Sequence, residues 1–329
     1  MESIYPAKLQ RGDTVRIIAP ARSLTIIGTD IRRYADEVLT KQLGLVVEFG
    51  AHAEATGYGN SATIDERVAD IHDAFADPNV KAIFTVIGGF NSNQLLPHID
   101  WQLIRDNPKI LCGYSDITVL SNAIYAHTGL VTYYGPHYST LGQKHLSSYT
   151  LDSLTACLTS NAPYAIEASA AWNDDKWYID QDARNDTANE GMIALQQGSA
   201  SGTIIGGNLC TLNLLQGTPH MPAATGDVIL FLEDDSETDL VHLDRDLESL
   251  LQTELGSQVK GIVIGRFQVG SHISTSDLRK LLHHKPQLRN LPIISGADFG
   301  HTNPMTTYPI GGHATLHVDG DIQLTITKH

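Results

Sequence analysis

VKAIFTVIGGFNSNQLLPHIDWQLIRDNPKILCGYSDIT, residues 80–118, carries two apolar runs that each end at glycine. The first, AIFTVI at 82–87, has almost no polar residue, as a strand covered on both faces requires. KILCG at 109–113 is a second such run, and helical spacing follows from Asp116 to about His127. The same alternation extends upstream. VRIIA at 15–19 and LVVEF at 45–49 read as strands, and Ile31, Tyr34, Ala35, Val38 and Leu39 recur at helical spacing between them. Thr29 and Asp30 are candidate caps for that helix, and Gly44 stops it. Thr63 followed three residues later by Glu66 is a capping box for a further helix, buried along Ile64, Val68, Ile71 and Phe75 and ended by Asp77-Pro78. Strands alternating with helices in this way indicate a parallel sheet, so residues 1–150 are expected to form an N-terminal α/β domain of flavodoxin- or Rossmann-like type.

The pattern breaks downstream. EASAAWNDDKWYIDQDARNDTANEG is polar, holds Trp172 and Trp177, and has no steady period, so 151–200 reads as a linker and substrate loop. Regularity resumes with TIIGG and a short helix near 208–216. DVILFLE at 227–233, GIVIG at 261–265 and LPIIS at 291–295 read as strands, and Leu240, Leu243, Leu247, Leu250 and Leu251 stripe a helix. Residues 201–329 are therefore expected to form a C-terminal α/β domain, with an active site in the cleft between the two.

Bulk composition narrows the chemistry. An apolar share of 42% in 329 residues suits two globular cores. A net charge of −15 repels phosphate backbones and anionic lipid, which disfavours nucleic-acid and membrane partners. Three scattered cysteines, Cys112, Cys157 and Cys210, fit neither a disulfide framework nor a cysteine zinc site. No H-E-x-x-H occurs, and the adjacent His283 and His284 diverge on a helix, so no metal site is expected. The N-terminus lacks a secretory apolar core, and no stretch approaches the roughly 18 apolar residues of a membrane span. Cytoplasmic localisation is the expectation.

Three turns could carry chemistry. In Gly113-Tyr114-Ser115-Asp116 a serine sits where a strand turns into a helix, with the Asp116 N–H at the helix start. That is half of a G-x-S-x-G nucleophile elbow, since Ile117 replaces the second glycine, and a plain helix cap is the competing explanation. Gly88-Gly89, after a buried strand, lets a ligand or backbone come close, and the Gly89 N–H could serve an oxyanion. A turn that merely needs glycine explains it equally. A phosphate-binding role lacks both G-x-G-x-x-G and a P-loop lysine. Glu233 ends a buried strand and His301 follows another, but Glu233 also heads an acidic run and His301 is one of 15 histidines.

Taken in order, LQRGDTVRIIAPA (9–21), the segment from Asp65 to Asp100, ILCGYSDIT (110–118), GGNLCTLNLLQGTP (206–219), ILFLED (229–234) and GHTNPMTTYPIG (300–311) resemble the LD-carboxypeptidase family of serine peptidases, including its microcin C immunity branch. The resemblance implies a Ser-His-Glu triad of Ser115, His301 and Glu233, with Gly89 and Asp116 as backbone oxyanion donors. It further implies acyl transfer, no cofactor, a small peptide or aminoacyl-nucleotide substrate, and a homodimer. Wall-recycling members commonly carry arginine before the paired glycines, where this chain has Ile87; GGFNSNQLL is closer to the immunity branch. That branch stacks an adenine on a loop tryptophan, a role expected here of Trp177, with Phe90 and Asn208 as further substrate contacts. One departure is Glu237, near where some immunity enzymes hold an acidic substrate with lysine. Competing expectations are a muramoyltetrapeptide LD-carboxypeptidase and a non-catalytic peptide or nucleotide binder. A nucleotide-dependent enzyme on a Rossmann-like domain lacks the glycine fingerprint.

Overall fold

A computed structural model describes residues 2–223 and 226–329. The first sheet is built from β1 (Thr14–Ile18), β2 (Val46–Phe49), β3 (Val80–Thr85), β4 (Ile110–Gly113) and β5 (Thr132–Tyr134), all parallel and in the order β2-β1-β3-β4-β5. This is the flavodoxin-like arrangement, with its topological switch point between β1 and β3. The apolar runs are buried as the sequence requires: every residue of β4 is covered, and in β3 only Lys81 reaches solvent. The helix Ile64–Ala76 begins at the expected capping box, with Thr63 and Glu66 bonded reciprocally.

Between the sheets lie β6 (Tyr164–Ala165), β7 (Ala171–Trp172), β8 (Thr187–Ala188) and β9 (Ile193–Gln196). The second sheet adds β10 (Gly198–Asn208), β11 (Val228–Glu233), β12 (Val259–Gly265) and β13 (Ile293–Ala297), which run parallel to one another at its centre. The last strands are β14 (Tyr308–Ile310), β15 (His313–Asp319) and β16 (Asp321–Lys328). The eight-stranded order is β6-β16-β15-β10-β11-β12-β13-β9. β14 does not join it; it pairs antiparallel with β5 and closes the edge of the first sheet. A helix, Ser148–Thr159, occupies the start of the stretch read as linker, and it buries Leu154, Cys157 and Leu158 against the first sheet's core.

The two sheets meet through β10 and the helix Thr118–Thr128. Gly206 and Gly207 hold positive φ, and a Cβ on Gly207 would come within 2.5 Å of Thr118 Oγ1. Bare backbone is what lets the strand approach the helix. Thr118 Oγ1 accepts from the Asn208 N–H at 3.0 Å, and the buried Asn122 amide donates to Thr118 O and Gly206 O, both at 2.8 Å. Asn122→Ala leaves the buried Gly206 carbonyl short of a donor. It should lower the unfolding free energy by about 1–3 kcal/mol, measured by urea melts; a change within about 0.3 kcal/mol would deny this contact a structural role.

Candidate active site

Ser115 stands two residues beyond the end of β4 and takes φ +57°, a left-handed conformation that a non-glycine residue adopts at a cost of about 1 kcal/mol or more. The turn is tight because Gly113 has no side chain: a Cβ there would collide with Thr85 and Ile117. A single 3₁₀ turn, Ser115–Ile117, then leads into the helix Thr118–Thr128. The strain holds the hydroxyl clear of the sheet, as in a nucleophile elbow.

His301 comes from the second half of the chain, after β13, and its Nε2 lies 3.1 Å from Ser115 Oγ. Its Nδ1 lies 2.8 Å from Glu233 Oε2, at the end of β11. A carboxylate only accepts, so Nδ1 carries the proton and Nε2 is the free base facing the serine hydroxyl. Gly300 makes this possible: with φ +109°, its missing Cβ would fall 2.9 Å from Glu233 Oε2. Glu233 is wholly enclosed, beneath an aromatic group in which Tyr134 stacks on Tyr308 at 4.7 Å and Phe231 packs on Phe299 at 5.8 Å. Burial opposes protonation of His301, but the Glu233 carboxylate outweighs it and raises the imidazole above its ordinary pKa.

Two backbone N–H groups near the serine are the candidate oxyanion donors. Neither the Gly89 N–H nor the Asp116 N–H bonds to another group among the described residues. Gly88 sits directly against Ser115; a Cβ on it would meet Ser115 Oγ at 3.0 Å and the Asp116 nitrogen at 3.5 Å. The Asp116 carboxylate turns away and accepts from the N–H groups of Asn91 and Ser92 at 3.1 and 3.0 Å, and from Ser92 Oγ at 2.7 Å. Buried Arg67 binds the same loop through Asn91 and Gln94, and ties it to Pro20 O in the loop after β1. The loops after β1, β3 and β4 are thus one hydrogen-bonded unit.

Residues 15–135 match the LD-carboxypeptidase N-terminal domain and residues 201–316 match the LD-carboxypeptidase C-terminal domain. The chain belongs to the LD-carboxypeptidase family. It is a serine-type peptidase. Among relatives of this family is a putative carboxypeptidase, YocD, of Bacillus subtilis, 46% identical over 99% of this chain and 100% of its own. The crystal structure of an MccF-like protein from Bacillus anthracis superposes with a TM-score of 0.97 at 50% identity, covering 99% of this chain and 100% of that one. The microcin C7 self-immunity protein MccF of Escherichia coli, solved in complex with aspartyl sulfamoyl adenosine, gives a TM-score of 0.88 at 30% identity, with 99% of each chain covered.

The other candidate residues of this LD-carboxypeptidase family member have different surroundings. Phe90, beside Gly89, is 76% exposed. Asn208 is buried: its Oδ1 accepts from the Thr211 N–H and caps the helix Leu209–Asn213, and its Nδ2 donates to Asp234 at 3.1 Å. Both ends of its amide are thus engaged within the fold. Asp234 also accepts from the Cys210 N–H, and burial together with the neighbouring Glu233 charge pushes its pKa up to about 6. Trp177 is half-buried against the core of the first sheet and meets Tyr178 edge-on at 5.9 Å. Trp172 lies under the Arg266 guanidinium at 4.9 Å. Next to it, Asn173 exchanges two backbone hydrogen bonds of 2.8 Å with Asn303, which anchors the loop two residues from His301. A polar cavity of about 410 Å³ opens there, lined by Tyr149, Asn173, Arg184, Asp186 and Asn303 among others.

Sequence reasoning passed over Arg22, Thr118 and Asn122. The first follows an apolar strand in an otherwise featureless loop. The other two occupy helix positions that look like ordinary polar substitutions until the second sheet is laid against them.

Proposed function

We propose that the protein is a serine carboxypeptidase or amidase of the microcin-immunity type, which cleaves the bond between an aminoacyl or peptidyl carbonyl and a nitrogen attached to a nucleotide-like leaving group. The observation that carries this reading is the continuous line Ser115 Oγ, His301 Nε2, His301 Nδ1 and Glu233 Oε2, with contacts of 3.1 and 2.8 Å, beside two unengaged N–H groups. In the proposed reaction Ser115 Oγ attacks the carbonyl carbon while its proton passes to His301 Nε2. The oxyanion is held by the N–H groups of Gly89 and Asp116, and Glu233 stabilises the imidazolium. The imidazolium then protonates the leaving nitrogen and the carbon–nitrogen bond breaks. Water, deprotonated by the same imidazole, releases the acyl group as a carboxylic acid and restores Ser115.

The nucleotide branch is supported by the likeness to MccF, whose solved complexes hold aspartyl sulfamoyl adenosine and glutamyl sulfamoyl guanosine. Ile87 at the position of the wall enzymes' arginine favours the same branch. Trp177, Phe90 and the polar cavity by Asn303 are the proposed surroundings of the nucleoside and of the acyl part, with Asn208 holding the loop beneath them. Glu237 argues against a strict preference for acidic aminoacyl groups. We take the working form to be a homodimer, as the family resemblance implies, in the cytoplasm, where the sparse and scattered cysteines fit; among the described residues no helix is long and apolar enough to cross a membrane. The second reading, a muropeptide LD-carboxypeptidase, is favoured by the name of the matching domains themselves. Purified protein assayed in parallel on an LD-muropeptide and on aminoacyl sulfamoyl adenosines separates the two. Faster hydrolysis of the nucleotides is expected, and cleavage of the muropeptide alone would reverse the assignment.

A further inference from the structure

The peptide unit joining Gly88 to Gly89 presents its carbonyl on one side and its N–H on the other, because it is trans. The N–H is the candidate oxyanion donor. The carbonyl accepts a hydrogen bond of 3.0 Å from Arg22 Nε, in the loop after β1. We propose that Arg22 is a positioning residue of the oxyanion hole, holding this peptide so that the Gly89 N–H faces the substrate carbonyl on Ser115. The inference rests on Ser115 being the nucleophile.

Three observations carry it. First, a peptide between two glycines rotates at little cost, and a flip would put the carbonyl, an acceptor, where the oxyanion forms. Second, the rest of the loop is pinned at Asn91 and Ser92 by Asp116 and Arg67, whereas Arg22 is the one group bonded to the Gly88–Gly89 peptide among the described residues. Third, Arg22 lies along the loop: a Cβ on Gly89 would meet Arg22 Cγ at 3.3 Å, and among the described residues no carboxylate forms an ion pair with its guanidinium. A charged donor on the carbonyl also polarises the amide and makes its N–H a stronger donor.

Glutamine places its Nε2 the same number of bonds from the backbone as arginine's Nε, and methionine reaches as far with no donor. Arg22→Met should lower kcat by about 10- to 100-fold with KM changed by less than about twofold, less than loss of an oxyanion donor itself. Arg22→Gln should recover most of that loss. Labelling of Ser115 by a fluorophosphonate, whose phosphoryl oxygen uses the same donors, should slow in parallel in the methionine variant. Thermal melts check that each variant is folded; should Arg22→Met not fold, Arg22→Glu against Arg22→Gln poses the same question, with an acceptor facing the carbonyl. An unlabelled Ser115 in the wild-type protein would defeat the nucleophile reading. Wild-type labelling with equal rates in Arg22→Met would defeat the Arg22 proposal alone. A rise in KM without loss of kcat would make Arg22 a substrate anchor, and equal loss in the glutamine and methionine variants would assign the effect to charge; either result overturns it.

Discussion

Replacing Ser115 with alanine is expected to lower kcat by about 10⁴-fold or more while leaving the protein folded, because the oxyanion donors and substrate contacts that remain account for only a residual rate. Alanine at φ +57° bears the same backbone strain as serine, so the elbow keeps its energy and its shape. The group removed is one hydroxyl bonded to a partly accessible imidazole, at 3.1 Å. Its net worth to stability is about 1 kcal/mol, so the melting temperature should move by no more than a few degrees. Steady-state kinetics on the better substrate, paired with a thermal melt, reads both quantities. Turnover within about tenfold of wild type in the folded variant would remove Ser115 from the reaction.

Glu233→Gln should be nearly as damaging, by about 10³- to 10⁴-fold in kcat, although it alters no volume. An amide facing His301 Nδ1 can offer its own N–H, which favours the tautomer whose proton sits on Nε2 and points at the serine. That imidazole is no longer a base for Ser115. The pH dependence carries a second signature. The carboxylate raises the His301 pKa against the opposing effect of burial, so wild-type activity should climb with pH through a value above the ordinary imidazole range of about 6.5. Without that carboxylate burial is opposed only by the weaker pull of Asp235 and Asp234, and the acid limb should move down. For stability the sign follows the same shift. A group whose folded pKa is raised contributes fully below its unfolded value near 6.5 and loses the contribution as pH rises through the folded value. The melting-temperature deficit of Glu233→Gln should therefore be widest in mild acid and shrink toward pH 9. Identical acid limbs in the two proteins would contradict the Glu233–His301 coupling.

Much of this architecture is legible in the chain. AIFTVI and ILCG are almost wholly apolar, as strands covered on both faces must be, and their alternation with helical periods points to the parallel sheet. The capping box at Thr63 and Glu66 marks a helix start from local hydrogen bonding that needs no tertiary partner. The preceding helix starts one residue from expectation, with Gly28 at the cap and Thr29 already helical. The family resemblance selected Ser115, Glu233 and His301 from a chain with 15 histidines, which residue chemistry could not have done.

The sequence alone therefore settles what is local or periodic: the strands of the first sheet, the helices between them, and the turn that bears a serine. Folding in three dimensions decides what depends on distant segments meeting. β14 crosses to the first sheet because β5 offers an unpaired edge, and strand edges are satisfied by whichever segment can reach them. Ser115 and His301 are 186 positions apart yet 3.1 Å apart in space. That approach is made by Gly206, Gly207 and Asn122 packing one sheet against the other's helix, and the Gly88–Gly89 peptide is turned by Arg22 from a third loop. A hydrogen bond has no sequence period, so its partner becomes visible only once packing has brought the two groups together.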